Sequence, residues 1–142
     1  MSDRVFLDTN IIVYSFSPVS GFKNEVSNKL IKSAFDQNSG CISYQVIQEF
    51  LNVATTKFKT PLSKKECDRI LIELLDPMCS IYPSLDLYLS AIEIKDRYKY
   101  GFYDSLVIGS ALEAQCSILY SEDLQHNQEI EGLSIINPYF DH

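Results

Sequence analysis

Ten residues near the N-terminus, Val5-Phe6-Leu7-Asp8-Thr9-Asn10-Ile11-Ile12-Val13-Tyr14, constrain this chain more than any other stretch. A carboxylate, a hydroxyl and a carboxamide follow one another between two apolar runs. Both runs ask to be buried, so the polar triplet is carried to the edge of a core rather than into open solvent. A carboxylate held there costs several kcal/mol unless a hydrogen-bond donor or a cation meets it. Asp8 therefore either caps a helix, as Asp, Thr and Asn all do well, or binds a cation. The triplet alone leaves both readings open.

The periodicity downstream gives the setting. Val5 to Leu7 reads as a strand, Asn10 to Phe16 as a short buried helix ended by Ser17-Pro18, and Phe22 to Gln37 as an amphipathic helix carrying Val26, Leu30, Ala34 and Phe35. Cys41 to Ser43 is a strand, followed by a helix from Tyr44 to Lys57 with Ile47, Phe50, Leu51, Ala54 and Phe58 on one stripe and Ser43 as its cap. Ser63 and Glu66 make a capping box for a helix that Asp76-Pro77 should stop near Leu75. A strand over Cys79 to Tyr82, a helix over Leu85 to Tyr98, a break at Gly101 and a helix over Tyr103 to Gln115 come next. The last of these is rich in small and apolar residues and should be buried on more than one side. Ile118 to Tyr120 is a strand, Ser121 to Gly132 a polar loop, and Leu133 to Ile136 a final strand. Short strands alternating with helices imply crossover connections and a mainly parallel sheet covered on both faces, in one domain over residues 1–142.

Composition narrows the function classes. With 46% hydrophobic and 22% charged residues the chain is an ordinary globular sequence. Its apolar stretches fall short of the roughly 20 residues that span a bilayer, so neither a membrane anchor nor a signal peptide is expected. Cys41, Cys67, Cys79 and Cys116 are widely spaced among apolar neighbours, with no Cys-x-x-Cys pair. That pattern speaks against zinc and for a reduced, cytoplasmic setting. A net charge of −7 argues against a generally basic nucleic-acid-binding surface. It leaves nucleic acid open as a substrate, because gathered carboxylates can be over-compensated by divalent cations.

Ligand sites in parallel sheets lie outside the carboxyl ends of the strands, and the acids at those places are Asp8, Glu49, Asp104 and Asp123. Each has a plain structural reading: Glu49 as an exposed helix residue, Asp104 as an acid favoured at a helix N-terminus. Brought together, however, they would raise one another's pKa and strain the fold unless a cation were present. Such a set suits a hard divalent metal with part of its water shell retained. Magnesium or manganese there would polarise a phosphate and activate water, and the chemistry that follows is phosphodiester hydrolysis.

Phe6-Leu7-Asp8-Thr9-Asn10, Ser43-Tyr44-Gln45-Val46-Ile47-Gln48-Glu49-Phe50, Tyr103-Asp104-Ser105-Leu106 and Leu119-Tyr120-Ser121-Glu122-Asp123-Leu124 together resemble a PIN-domain protein of the VapC type, the toxin of bacterial and archaeal toxin–antitoxin pairs. The resemblance runs over nearly the whole chain. It implies a three-layer α/β/α PIN-like fold with a mainly parallel central sheet, and an acidic site for Mg²⁺ or Mn²⁺ made by Asp8, Glu49, Asp104 and Asp123. Asn10 and Ser121 would position acids or water. It further implies metal-dependent cleavage of single-stranded RNA, a homodimer and an antitoxin protein as partner. Within the last motif Glu122 competes with Asp123 for the metal, spacing from Ser121 favouring Asp123. His126 reads as a solvated loop histidine, or else as a substrate contact.

Substrate phosphates need positive charge. Lys95, Arg97 and Lys99, interleaved with Tyr98, Tyr100, Phe102 and Tyr103, supply it just before Asp104, unless they serve only the helix C-terminus and the tyrosines the core. Lys57, Lys59, Lys64 and Lys65 read as a solvated face. Two rival chemistries fall away. A phosphate-transferring aspartate enzyme wants a second Asp where Asn10 stands, and a dinucleotide-binding turn wants glycines that Asp8-Thr9-Asn10 lacks. The alternative from another class is a non-catalytic PIN-like module that binds RNA or protein.

Overall fold

Strand β1 (Val5–Leu7) is the middle of the molecule: Phe6 and Leu7 are both fully buried. Successive strand residues point to opposite faces, so both faces of the sheet are covered here. The structure, a computed structural model, describes residues 4–140; the outermost residues of the expected domain, 1–3 and 141–142, lie outside them. β1 pairs in parallel with β2 (Gly40–Ser43) on one side and with β4 (Ile118–Tyr120) on the other. β3 (Cys79–Ile81) extends the sheet beyond β2, while β6 (Leu133–Ile136) and β5 (Glu129–Ile130) extend it beyond β4, in the order β3-β2-β1-β4-β6-β5. Among the described residues only the β5–β6 pair is antiparallel.

The helices are α1 (Thr9–Ser15), α2 (Phe22–Asp36), α3 (Tyr44–Thr56), α4 (Lys64–Ile70), α5 (Asp76–Met78), α6 (Leu85–Tyr98) and α7 (Phe102–Glu113). None is long and apolar enough to cross a membrane. Of the expected stripe of α3, Phe50 and Ala54 are fully buried and Ile47, Leu51 and Phe58 are half-buried against the core, while Val46, outside that stripe, is fully buried with them because the buried face is turned toward it. α7 is buried without interruption from Ser105 to Ala111, as its small and apolar residues foretell. Ser63 and Glu66 form the capping box of α4, each side chain meeting the other's backbone N–H at 3.2 and 3.0 Å.

Two elements depart from the sequence reading. Asp76-Pro77 does not stop the helix that begins at Lys64: the backbone widens into a π stretch over Leu71–Leu75 and resumes as α5. Pro77 then stands in the first turn of a new helical segment, where its missing N–H is not needed. The expected polar loop of residues 121–132 contains β5, closed onto β6 by Glu131 and Gly132 at φ 50° and 89°. Two positive φ values suit the twist of a tight hairpin, and a strand of two residues is too short to show alternation.

Gly40 sits where β2 passes under α2 and α5. A Cβ there would stand 3.0 Å from Ala34 Cβ and 3.1 Å from Met78 Sδ. Gly40→Ala should therefore cost about 1–3 kcal/mol through overpacking, read as a lowered urea midpoint with unchanged slope.

Candidate metal-dependent active site

β1, β2 and β4 run in the same direction, so their carboxyl ends share one edge of the sheet, and each hands a polar side chain to it. Leu7 is in register with Tyr120, and the Asp8 N–H donates to the Tyr120 carbonyl at 3.0 Å. The residues that follow are thereby neighbours: Ser121 Oγ, fully buried, donates to Asp8 Oδ2 at 2.8 Å. The other oxygen of Asp8 accepts from the Thr9 N–H at 2.7 Å, so Asp8 is the N-cap of α1 as well. Of the two readings its sequence left open, the capping one is realised.

Thr9 turns its hydroxyl across to α3 and donates to Glu49 Oε1 at 2.5 Å. Gln45, one turn earlier on α3, donates through Nε2 to Glu49 Oε2 and to the Tyr103 carbonyl, both at 3.4 Å. Asn10 donates to Asp123 Oδ2 at 3.0 Å. Asp104, in the first turn of α7, is exposed, and no donor side chain reaches it among the described residues. Asp8, Glu49, Asp104 and Asp123 line one cavity of about 280 Å³ with Thr9, Asn10, Gln45 and Tyr103. Among the described residues no lysine or arginine forms an ion pair with any of these acids.

The electrostatics follow from that arrangement. The Asp8 carboxyl, ordinarily near 3.8, is pushed up to about 6: burial is the main cause, the charges of Glu49 and Asp123 add to it, and the bonds from Ser121 and Thr9 oppose it. The Asp104 carboxyl, open to solvent but partly screened from it at the cavity rim, is raised too, by that partial burial first and then by the charges of Asp123 and Glu49.

A divalent cation suits this donor set, which is all hard oxygen. Among the described residues no three Asp, Glu, His or Cys side chains form a ready-made cage, so the fit is to a cation that keeps much of its water. The polar lining is also incomplete. The two buried side-chain polar atoms without a partner among the described residues are Gln45 Oε1, on the cavity wall, and Ser105 Oγ, beside Asp104.

Other sequence candidates stand elsewhere. Glu122 points away from the cavity, accepting from Tyr14 Oη at 2.5 Å and pairing with Lys23, which lies 5.0 Å from the centre of the Tyr14 ring. It clamps the loop after β4 to α1 and α2 and leaves the cavity to Asp123. His126 is half-buried, not a solvated loop residue: its Nδ1 accepts from the Asn137 N–H at 3.0 Å and its ring stacks on Phe140 at 4.2 Å. It does not line the cavity. Lys95 and Lys99 line a separate surface depression with Ile92, Asp96 and Tyr100, and Arg97 pairs with Glu93 at 3.1 Å. Lys57, Lys59, Lys64 and Lys65 are exposed, as expected of a solvated face. Sequence reasoning missed the donors Thr9 and Gln45, whose partners are 40 residues away for Thr9 and one helical turn away for Gln45. The i, i+4 spacing of Gln45 and Glu49 was the available signal.

The fold and this edge define a class, and comparison with known proteins agrees. The PIN domain family model matches residues 5–128, and the chain belongs to that family. Among solved structures it resembles a toxin–antitoxin complex from Klebsiella pneumoniae (18% identity, 95% of this chain and 98% of that one, TM-score 0.68). It also resembles VapC20 of Mycobacterium tuberculosis, described as a toxin cleaving the sarcin–ricin loop (16% identity, 84% and 89% covered, TM-score 0.61). A third is VapBC2 from Rickettsia felis bound to a DNA fragment from its promoter (20% identity, 92% and 96% covered, TM-score 0.57). No curated protein sequence matches the chain.

The raised Asp8 pKa has a definite sign. The folded state holds a proton there that the unfolded state releases, so metal-free stability falls as pH rises from about 4 to about 6 and stays lower above that. Asp8→Asn, which can still cap α1, should remove this slope and stabilise the metal-free chain at neutral pH by on the order of 2–3 kcal/mol. Urea unfolding in chelator across that pH range reads both effects.

Proposed function

We propose that this protein is a metal-dependent endoribonuclease that hydrolyses RNA phosphodiester bonds, and that it serves as the toxin of a type II toxin–antitoxin pair. One observation carries the catalytic part: four carboxylates from four separate parts of the chain line one cavity, and among the described residues none of them has a basic partner. A fold gains nothing from that arrangement by itself, since like charges at one site oppose folding. The toxin role is supported by the family and by what the structural neighbours are described as being.

Asp8, Glu49, Asp104 and Asp123 would hold Mg²⁺ or Mn²⁺, which when bound supplies positive charge for the phosphate oxygens and lowers the pKa of the attacking water. The chain's own residues do the rest. Ser121 and the Thr9 N–H fix both oxygens of Asp8. The Thr9 hydroxyl and Gln45 fix Glu49, and Asn10 fixes Asp123. Three acids are thus oriented by neutral donors, which hold position without cancelling charge. Asp104 is the one of the four with no donor fixing it among the described residues, and it is exposed, so its carboxylate is free to turn and take the proton from water as the new phosphorus–oxygen bond forms. Lys95, Lys99 and Arg97, all exposed, would meet phosphates of an RNA that extends past the site. A homodimer is part of the proposal. Leu85, Leu89 and Ile92 of α6, spaced by four and three residues, leave an apolar stripe 73%, 56% and 56% exposed. The cytoplasm is the compartment that fits free thiols at all four cysteines.

Purified protein should cleave single-stranded RNA with Mg²⁺ or Mn²⁺ and lose the activity in EDTA. Asp8→Asn, Asp104→Asn and Asp123→Asn should each lower kcat by about 100-fold or more, and Asn10→Ala and Ser121→Ala by about 10–100-fold. Glu122→Gln should keep kcat while lowering the melting temperature, because it loosens the clamp to Lys23 and Tyr14. RNA cleavage that survives the chelator, or that Asp8→Asn leaves intact, would falsify the reading; RNA binding without cleavage at any metal concentration would leave the non-catalytic module instead.

A further inference from the structure

A second cavity, of about 230 Å³, opens beside the acidic one and shares Gln45 and Tyr103 with it. Its wall is continued by Tyr44, Gln48, Tyr88 and Phe102, and no charged side chain lines it. The rings here are unusually open for aromatic residues: Tyr103 is 67% exposed, Tyr44 43% and Tyr88 40%. They stand in two groups on the one wall: in the first, Phe102 lies 5.4 Å from Tyr103 and 6.4 Å from Tyr88, centre to centre, and Tyr44 belongs to the second. There Tyr82, 51% exposed, lies 5.9 Å from Tyr44.

The geometry points to this groove as the subsite that receives the bases of single-stranded RNA next to the scissile phosphate, Tyr103 and Tyr44 stacking on them and Gln48 and Gln45 reading their edges. The inference rests on the ribonuclease reading above and adds where the bases go. Continuity commits the occupant. The two cavities share Tyr103 and Gln45, so a chain whose phosphate lies at Asp8 and Asp104 and which crosses those residues enters the groove directly. Charge agrees: phosphates are repelled by carboxylates and met by cations, whereas bases need neutral faces, and this wall is neutral. The amide of Gln45 supplies a second, independent sign. Its Nε2 faces two acceptors, Glu49 and the Tyr103 carbonyl, each 3.4 Å away, which tells the nitrogen end of the amide from the oxygen end, and its Oε1 is a buried acceptor without a donor among the described residues. Leaving such an acceptor unsatisfied is costly. An exocyclic amine or imino N–H of a base, arriving at the seam with a small rotation of the amide, is the donor it lacks. A docked protein helix would want aliphatic knobs and would have no reason to meet an amide at the edge of the acids.

The test is RNA binding measured apart from cleavage. In an Asp104→Asn background with Mg²⁺, fluorescence anisotropy would follow labelled single-stranded oligoribonucleotides and an abasic ribose–phosphate chain of the same length. Tyr103→Ala and Tyr44→Ala should each weaken binding of base-bearing RNA by about 5- to 150-fold, and Gln48→Ala should alter the ranking of oligo-A, oligo-C, oligo-G and oligo-U. Tyr103→Phe should retain affinity. The abasic chain should bind equally to parent and variants, and the slope of log affinity against log salt should not change, because no phosphate contact is removed. Thermal melts of these exposed-residue variants should match the parent, which separates lost contact from lost fold. Unchanged affinity for base-bearing RNA in the tyrosine variants, or abasic RNA binding as tightly as base-bearing RNA, overturns the subsite while leaving the nuclease reading standing if the native chain still cleaves. Loss of a protein partner or of self-association in the same variants, with RNA binding intact, overturns it in favour of a protein-docking groove. If the native chain neither binds nor cleaves RNA, both readings fall together.

Discussion

Mutual repulsion among carboxylates is the constraint around which this molecule is arranged. Asp8, Glu49, Asp104 and Asp123 line one cavity, and the chain compensates with hydrogen bonds rather than with cations. Basic residues are available, but Lys23 is engaged by Glu122 and Arg97 by Glu93. Those pairs stabilise the surface and leave the cavity its negative charge. The donors that do enter it, Ser121, Asn10, Thr9 and Gln45, are neutral. They fix direction and preserve the field, which is what an electrostatic site needs from its surroundings.

The fold makes this possible through parallel register. Because β1 lies between β2 and β4, with all three running the same way, residues far apart in sequence emerge side by side at one edge. Asp8 and Ser121 are adjacent because Leu7 pairs with Tyr120. Glu49 is brought in by α3, which starts just after Ser43, the last residue of β2, and whose buried Phe50 sets the rotation of the helix. Asp104 is brought in by α7, buried so thoroughly from Ser105 onward that its first turn has little freedom. The core thus positions the site, and its burial is also what raises the Asp8 carboxyl to about 6.

Much of this is legible in the amino-acid sequence. Apolar runs around Asp8, the stripe of α3 and the small residues of α7 report directly on burial, and burial places the acids. What stays hidden has a physical reason in each case. The short β5 carries too few residues for alternation to register, and its turn depends on Glu131 adopting positive φ, which Glu rarely signals. Pro77 reads as a helix stop, yet the π stretch before it lets the helix resume. The choice between Glu122 and Asp123 turns on Tyr14 and Lys23, a contact about a hundred residues distant that no local pattern encodes. The basic and aromatic strip before Asp104 is one run in sequence but divides in space, Lys95 and Lys99 on one surface and Phe102 and Tyr103 on another.

The central claim is that a divalent cation relieves the repulsion among these acids, and the most direct measurement is the melting temperature of the chelated protein with and without added Mn²⁺. Binding to the folded state alone must raise it, so the native chain should gain several degrees at saturating Mn²⁺, and an Asp8→Asn, Asp104→Asn double variant should start higher in chelator and gain little. A native chain whose melting temperature ignores Mn²⁺, or a double variant that gains as much as the native chain, would contradict the claim.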